Sequence, residues 1–195
     1  MHTFHNEYEE RYKLFINYCK SIPEFDQLSI DDKKYSVQNH LIETVMISNQ
    51  TLSKCVSKVL IASLQKVYGP VLFDVVKQVA ERLCAYTYDP LILKLVLIIQ
   101  ILSNSISRYG CNNTMYIYDN PAMLFSGQNT YVELLWRYLL SRLPSEKDTV
   151  KFYNKLILDL LYVQRTSFVM DHFVLTNLKH EIDQMTPLMK NLWSM

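Results

Sequence analysis

The sequence predicts an all-α fold, and three observations lead to it. Hydrophobic residues make up 49% of the 195, enough for a sizeable buried core. Only 3 Gly and 6 Pro punctuate the chain, which favours compact helical packing over sheets or disorder. Apolar residues recur three and four positions apart along most of the length, the spacing of one helix face. Residues 1–195 therefore read as one helical domain.

The first helix is predicted over about Glu7 to Lys20, with Tyr8, Tyr12, Phe15, Ile16 and Cys19 on one broad face. Pro23 cannot continue it and biases Ile22 toward extended backbone. Phe25 and Leu28 are expected to pin a short loop to the core. A second helix starts at Ser29, whose hydroxyl can cap the N–H groups near Asp32, and runs to the neighbourhood of Ser48. Gly69-Pro70 breaks the chain before Val71–Cys84, where Leu72, Val75, Val76, Val79 and Leu83 keep helical spacing.

Asp89-Pro90 pairs an N-cap with Pro at the first helical position. The helix it opens, Leu91–Ser103, is apolar nearly all round and is predicted to be the buried centre. Ser105–Asn120 is the least regular stretch, with a turn near Gly110 and a short extended piece at Met115–Tyr118. Asn120-Pro121 restarts helix, and Tyr131–Arg142 is strongly amphipathic. Pro144–Asp148 forms a turn with Ser145 as N-cap. A long helix follows from Thr149 to about Lys179, its apolar face running through Tyr153, Leu156, Ile157, Leu160, Leu161, Val163 and Phe168.

Composition argues against several functions. A net charge of +1 offers no basic excess for nucleic acid. Cys19, Cys55, Cys84 and Cys111 are scattered without a Cys-x-x-Cys pair, as reduced thiols would be. The N-terminus is polar and acidic, unlike a secretory leader. Leu91–Leu102 is too short to span a bilayer and carries Lys94. His2 and His5 lack further ligands at metal spacing, His40, His172 and His180 are isolated, and His172 beside Asp171 reads as polar surface. Neither a phosphate-binding glycine loop nor a nucleophile elbow is present. The expectation is a soluble intracellular domain, not an enzyme, with no catalytic residue, metal or cofactor and no membrane partner.

Two separated motifs then resemble one family. Phe25-x-x-Leu28-x-x-x-Asp32, preceded by Lys20 and followed by Glu43, resembles the signature of nuclear-receptor ligand-binding domains, with Lys33 where relatives usually have Gln. The stretch Leu188-Met-Lys-Asn191-Leu-Trp193 resembles that family's terminal activation helix, with Asn191 in place of a Glu. Its Thr186-Pro187-Leu188 lead-in is similar to the vitamin D and pregnane X receptor branch. The resemblance implies a three-layer antiparallel helical sandwich that begins at the family's third helix, without the first helix or a zinc-binding DNA-binding domain. It also implies a transcription-regulating receptor domain acting in the nucleus, with the cytoplasm as a second compartment.

The same resemblance implies site residues. A coregulator groove for a Leu-rich partner helix is expected at Ile16, Lys20, Phe25, Lys34, Val37, Gln38, Leu188 and Asn191. Lys20 would meet the partner's C-terminal carbonyls, and Asn191 stands where a Glu meets its N-terminal N–H groups. Gln38 replaces the family's second Lys. A neutral Asn weakens its contact by about 1 kcal/mol or somewhat more. A pocket for a small lipophilic ligand is expected at Tyr8, Arg11, Leu41, Ile42, Met46, Met170 and Trp193. Arg11 reads either as an inward cation for a ligand carboxylate or ketone, or as an exposed member of a Glu-Glu-Arg run. The bulky Tyr, Met and Trp side chains leave a filled interior as the alternative to a cavity. Glu43 is expected to pair with Arg108 and hold the middle of the fold. Residues 128–164 resemble the receptor dimerisation helices, implying a homodimer or a heterodimer with another receptor. The alternative is a ligand-independent interaction module that dimerises with or sequesters other receptors.

Overall fold

The computed structural model describes residues 2–51, 58–104, 117–177, 186–187 and 190–191. Its helices are α1 (His2–Lys20), α2 (Pro23–Asp26), α3 (Ile30–Asn39), α4 (Leu41–Thr51), α5 (Lys58–Cys84), α6 (Pro90–Ile101), α7 (Pro121–Arg142) and α8 (Glu146–Asn177). The described residues include no strand, so the all-α expectation holds.

Helix starts follow the capping residues. Ser29 accepts a hydrogen bond from the Asp32 N–H, Asp89 from Leu91, Asn120 from Met123 and Ser145 from Asp148. Each satisfies a donor that the first turn leaves open. Pro90 and Pro121 sit just inside their helices, where the missing N–H costs nothing.

Three local expectations are corrected. Residues 23–26, expected as loop, form one helical turn: Pro23 sets the first φ, and Ile22, Phe25 and Leu28 all bury into the core. The helix expected from Ser29 to Ser48 is two helices. It breaks at His40 (φ −105°, ψ 15°), whose fully buried ring is bonded to groups on two other segments rather than shed to solvent. The α8 face is also divided. Leu156, Val163, Met170 and Val174 point into the core, whereas Ile157, Leu158, Leu161 and Phe168 are exposed. Of the extended piece expected at Met115–Tyr118, residues 115 and 116 lie outside the described ones. Ile117 and Tyr118 are non-helical, and the Tyr118 ring meets Tyr35 edge-on.

Two helices form the centre. α6 buries Ile92, Leu93, Leu95, Val96, Leu97 and Ile101, as its all-round apolar sequence predicts. α4 is buried from Leu41 through Ser48 and packs against α1, α5, α6 and α8. Each fully buried aliphatic side chain here contributes about 1.5–3 kcal/mol. α7 lies on α6 and reaches α2, where Gly127 lets the backbones approach: a Cβ there would stand 3.2 Å from Glu24. The Tyr131 hydroxyl donates to the Glu24 carboxylate at 2.7 Å beside this approach. The Asp32 carboxylate, 1% exposed, accepts the Asp119 N–H at 3.2 Å and ties α3 to the segment entering α7.

α5 and α8 are joined by a carboxylate. Asp159, 2% exposed, accepts from Lys155 (2.6 Å), Tyr86 (2.6 Å) and Arg82 (2.9 Å). Arg82 also stacks over the Tyr162 ring at 4.3 Å. Burial by itself would raise the Asp159 pKa, but the bonds from Lys155, Tyr86 and Arg82 outweigh it and hold the carboxyl below its ordinary value. A depressed carboxylate stabilises the fold above its unfolded pKa and loses that contribution as pH falls through the folded value. Urea midpoints should therefore drop as pH falls below about 4. Asp159→Asn should cost about 2–4 kcal/mol at neutral pH and flatten that part of the acid dependence. An unchanged acid profile in the variant would count against the network.

Gly69, with φ 69° and ψ 172°, is the bend at which the two halves of α5 meet. Nothing lies within 4 Å of a Cβ built there, so an alanine meets backbone strain and no clash. Gly69→Ala should lower stability by about 1–3 kcal/mol, read from the denaturant midpoint, because this region is nearly glycine-only. A midpoint equal to the parent's would show that the bend relaxes.

Candidate functional site

The end of α1 is shaped by the proline that follows it. Ser21 and Ile22 turn back onto the Tyr18 and Cys19 carbonyls, leaving Lys20 exposed at the helix C-terminus, where a cation is favoured. α2 then drives Phe25 into the core (3% exposed), and α3 runs alongside with Val37 buried and Lys34 exposed. Ile16 is half-buried on α1. Of the expected groove residues on these three helices, Lys20 and Lys34 are exposed, Ile16 is half-buried, and Phe25 and Val37 belong to the core.

The C-terminal segment reaches the α1 and α3 helices. The Gln38 amide donates to the main-chain carbonyl of Asn191 at 2.5 Å, across 153 residues of sequence. The Thr186 hydroxyl donates to the Glu9 carboxylate at 2.9 Å. Lys190 N–H bonds the Thr186 carbonyl at 2.9 Å, closing a turn between the two attachment points. Gln38 and Asn191, which sequence reasoning placed in one groove, are thus in direct contact. The partner of Gln38 is the Asn191 backbone, and Glu9 was not anticipated as an anchor. Its position three turns before Lys20 on α1 was the available signal. Leu188 lies outside the described residues.

The residues expected to line a ligand pocket separate into two groups. Leu41, Ile42, Met46 and Met170 are core residues between 0% and 8% exposed, and Arg11 is half-buried on α1. Trp193 and the Tyr8 side chain lie outside the described residues.

Glu43 is buried, as expected of a residue holding the middle of the fold. Arg108, its expected partner, lies outside the described residues. Within them, Glu43 meets His40 Nδ1 at 3.2 Å and accepts from the Ser167 hydroxyl at 2.9 Å. His40 Nε2 lies 3.0 Å from the Ser103 carbonyl, which can only accept, so Nε2 carries hydrogen. This joint links the α3–α4 break, the end of α6, and α8. The signal for it in the sequence was His40 three residues before Glu43.

Sequence reasoning missed one concavity. A half-open groove of about 280 Å³ lies among α6, α7 and α8, walled by Val96, Val132, Leu135, Leu156 and Ile157, with Gln164 at its side. Elsewhere, the buried Cys19 thiol is pushed up to about 12 by burial and stays protonated, which removes it as a nucleophile. Among the described residues no three His, Cys, Asp or Glu side chains cluster as metal ligands, and no helix is long and apolar enough to cross a membrane.

Compared with models of protein families and with curated proteins, the sequence matches none.

Removing Glu43 takes the partner from the buried His40 Nδ1 and leaves the Ser167 hydroxyl only the Gln164 carbonyl at 2.8 Å. Glu43→Ala should cost about 2–4 kcal/mol in urea unfolding, and Glu43→Gln, which keeps an acceptor, about half of that. Equal stability of Glu43→Ala and the parent would deny the joint its structural role.

Proposed function

We propose that this chain is a nuclear-receptor-type ligand-binding domain, a three-layer antiparallel helical sandwich that regulates transcription in the nucleus. In this reading it binds a small lipophilic molecule and recruits a Leu-rich coregulator helix in the groove bordered by Lys20, Gln38 and the C-terminal segment. One observation carries the reading. The two motifs that suggested the family stand at opposite ends of the sequence, and Asn191 and Thr186 bond to Gln38 and Glu9. A chance C-terminal sequence has no reason to bond, through Thr186 and Asn191, to the very helices whose signature is read separately. A ligand acts in this scheme by favouring the state with the terminal segment docked.

The second reading, a ligand-independent module that dimerises with or sequesters other receptors, is favoured by a different observation. Ile157, Leu158 and Leu161 stand exposed on α8 within the segment expected to dimerise, and Phe168 is exposed one turn beyond it. Large apolar side chains aligned along one helix suit a helix-to-helix contact.

Titration of a Leu-rich coactivator peptide tests the first reading. Binding should be weak, and Asn191→Glu should tighten it by about tenfold by restoring a charged acceptor. Lys20→Ala should abolish it. Tight binding indifferent to Asn191→Glu would refute the groove. A thermal-shift screen against sterols, retinoids and fatty acids tests the pocket, since a ligand at about 100 times its Kd stabilises by about 2.7 kcal/mol. No shift across the screen, together with sedimentation as a dimer or capture by a receptor domain, would favour the second reading.

A further inference from the structure

Of the 6 prolines, only Pro187 follows a hydroxyl residue; the others follow Ile22, Gly69, Asp89, Asn120 and Leu143. Thr186-Pro187 is therefore the one pair in the chain that a proline-directed protein kinase can read. Both residues are exposed. The Thr186 hydroxyl is one of the two side-chain groups described as tying the C-terminal segment to the helices, through its 2.9 Å bond to Glu9 Oε2.

The surroundings of that hydroxyl are acidic. Lys13 pairs with both Glu9 and Glu10, at 3.1 and 2.9 Å, so two carboxylates stand beside the hydroxyl's acceptor. The Glu9 side chain as a whole is 17% exposed, while its bond to Thr186 lies at the surface.

We propose that Thr186 is a phosphorylation site, and that its modification releases the C-terminal segment from α1. The phosphoryl donor is ATP, supplied with a proline-directed kinase. A bond forms between Thr186 Oγ1 and the γ-phosphorus, and the bond from that phosphorus to the β–γ bridging oxygen breaks. ADP leaves, and the hydroxyl proton passes to the kinase's base and then to solvent. The product carries nearly two negative charges and has lost the hydrogen that Glu9 accepted. A donor–acceptor contact thereby becomes a contact between anions. A phosphate at the start of the Thr186–Lys190 turn favours the turn itself, so docking is what is lost. The inference stands on the Thr186–Glu9 contact and does not require the docked segment to recruit a coregulator.

The test uses the full chain, treated with a proline-directed kinase and ATP, with the modified residue located by mass spectrometry. Native-state trypsin cleavage after Lys190 then reads how often Asn191 leaves Gln38. Phosphorylation confined to Thr186, absent in Thr186→Ala, should speed that cleavage by about tenfold, the scale of two charge pairs near a solvated surface. Glu9→Gln, or about 1 M salt, which shortens screening to about 3 Å, should remove most of the acceleration. Three results would overturn the proposal: Thr186 unmodified in the folded chain while a peptide of residues 181–195 is modified; modification with unchanged cleavage; or acceleration that persists in both Glu9→Gln and high salt. Peptide-binding results on the groove leave these readings untouched, so the two hypotheses fail separately.

Discussion

The buried polar joint at His40 is the constraint on which the arrangement depends. α4 is buried from Leu41 through Ser48, and polar groups so placed can use only internal partners. His40 and Glu43 supply those partners to one another and then reach Ser103 at the end of α6 and Ser167 on α8. Apolar packing alone is indifferent to small rotations of a helix. Directional bonds from one turn to two neighbouring segments fix both the rotation and the height of α4. The break between α3 and α4 falls at His40 itself, where the dihedrals leave the helical range while its N–H and C=O still bond Ser36 and Thr44.

Other contacts extend the same logic outward. Asp159 joins α5 to α8, Asp32 joins α3 to the entry of α7, Glu24 joins α2 to α7, and Asp89 accepts from Tyr138 to join α6 to α7. In each case a carboxylate on one segment meets donors on another. Because buried carboxylates must be bonded, they act as register marks for helices whose apolar surfaces tolerate several packings. The C-terminal segment, by contrast, is tied to α1 and α3 through Glu9 and Gln38. That docking differs in kind: its two side-chain bonds are exposed, and one of them is between neutral groups. An attachment of this kind is easier to reverse than the core beneath it.

Much was legible in the sequence because its causes are local. Ser29, Asp89, Asn120 and Ser145 marked helix starts through their own hydrogen bonds to the next turn, and Pro23 and Gly69-Pro70 marked breaks through their own dihedrals. The apolar run of α6 announced burial without reference to a partner. The pairing of the Lys20 region with the tail was readable only through two motifs lying far apart, and Gln38 and Asn191 are the residues that meet. The groove among α6, α7 and α8 left no such mark, since it exists only where three helices fail to close.

What the amino-acid order alone determined is the type and approximate limits of most helices, because propensity, capping and periodicity act within a few residues. It did not determine that residues 23–26 would coil, that α3 and α4 would part at His40, or which side of α8 would face inward. Those outcomes depend on burial against segments distant in the chain. A helix with apolar residues around most of its circumference has several faces to offer, and only the shape and hydrogen-bonding groups of its neighbours select one. The same holds for Glu9: nothing in its immediate sequence distinguishes it from Glu10, and only the folded chain brings Thr186 to one and not the other.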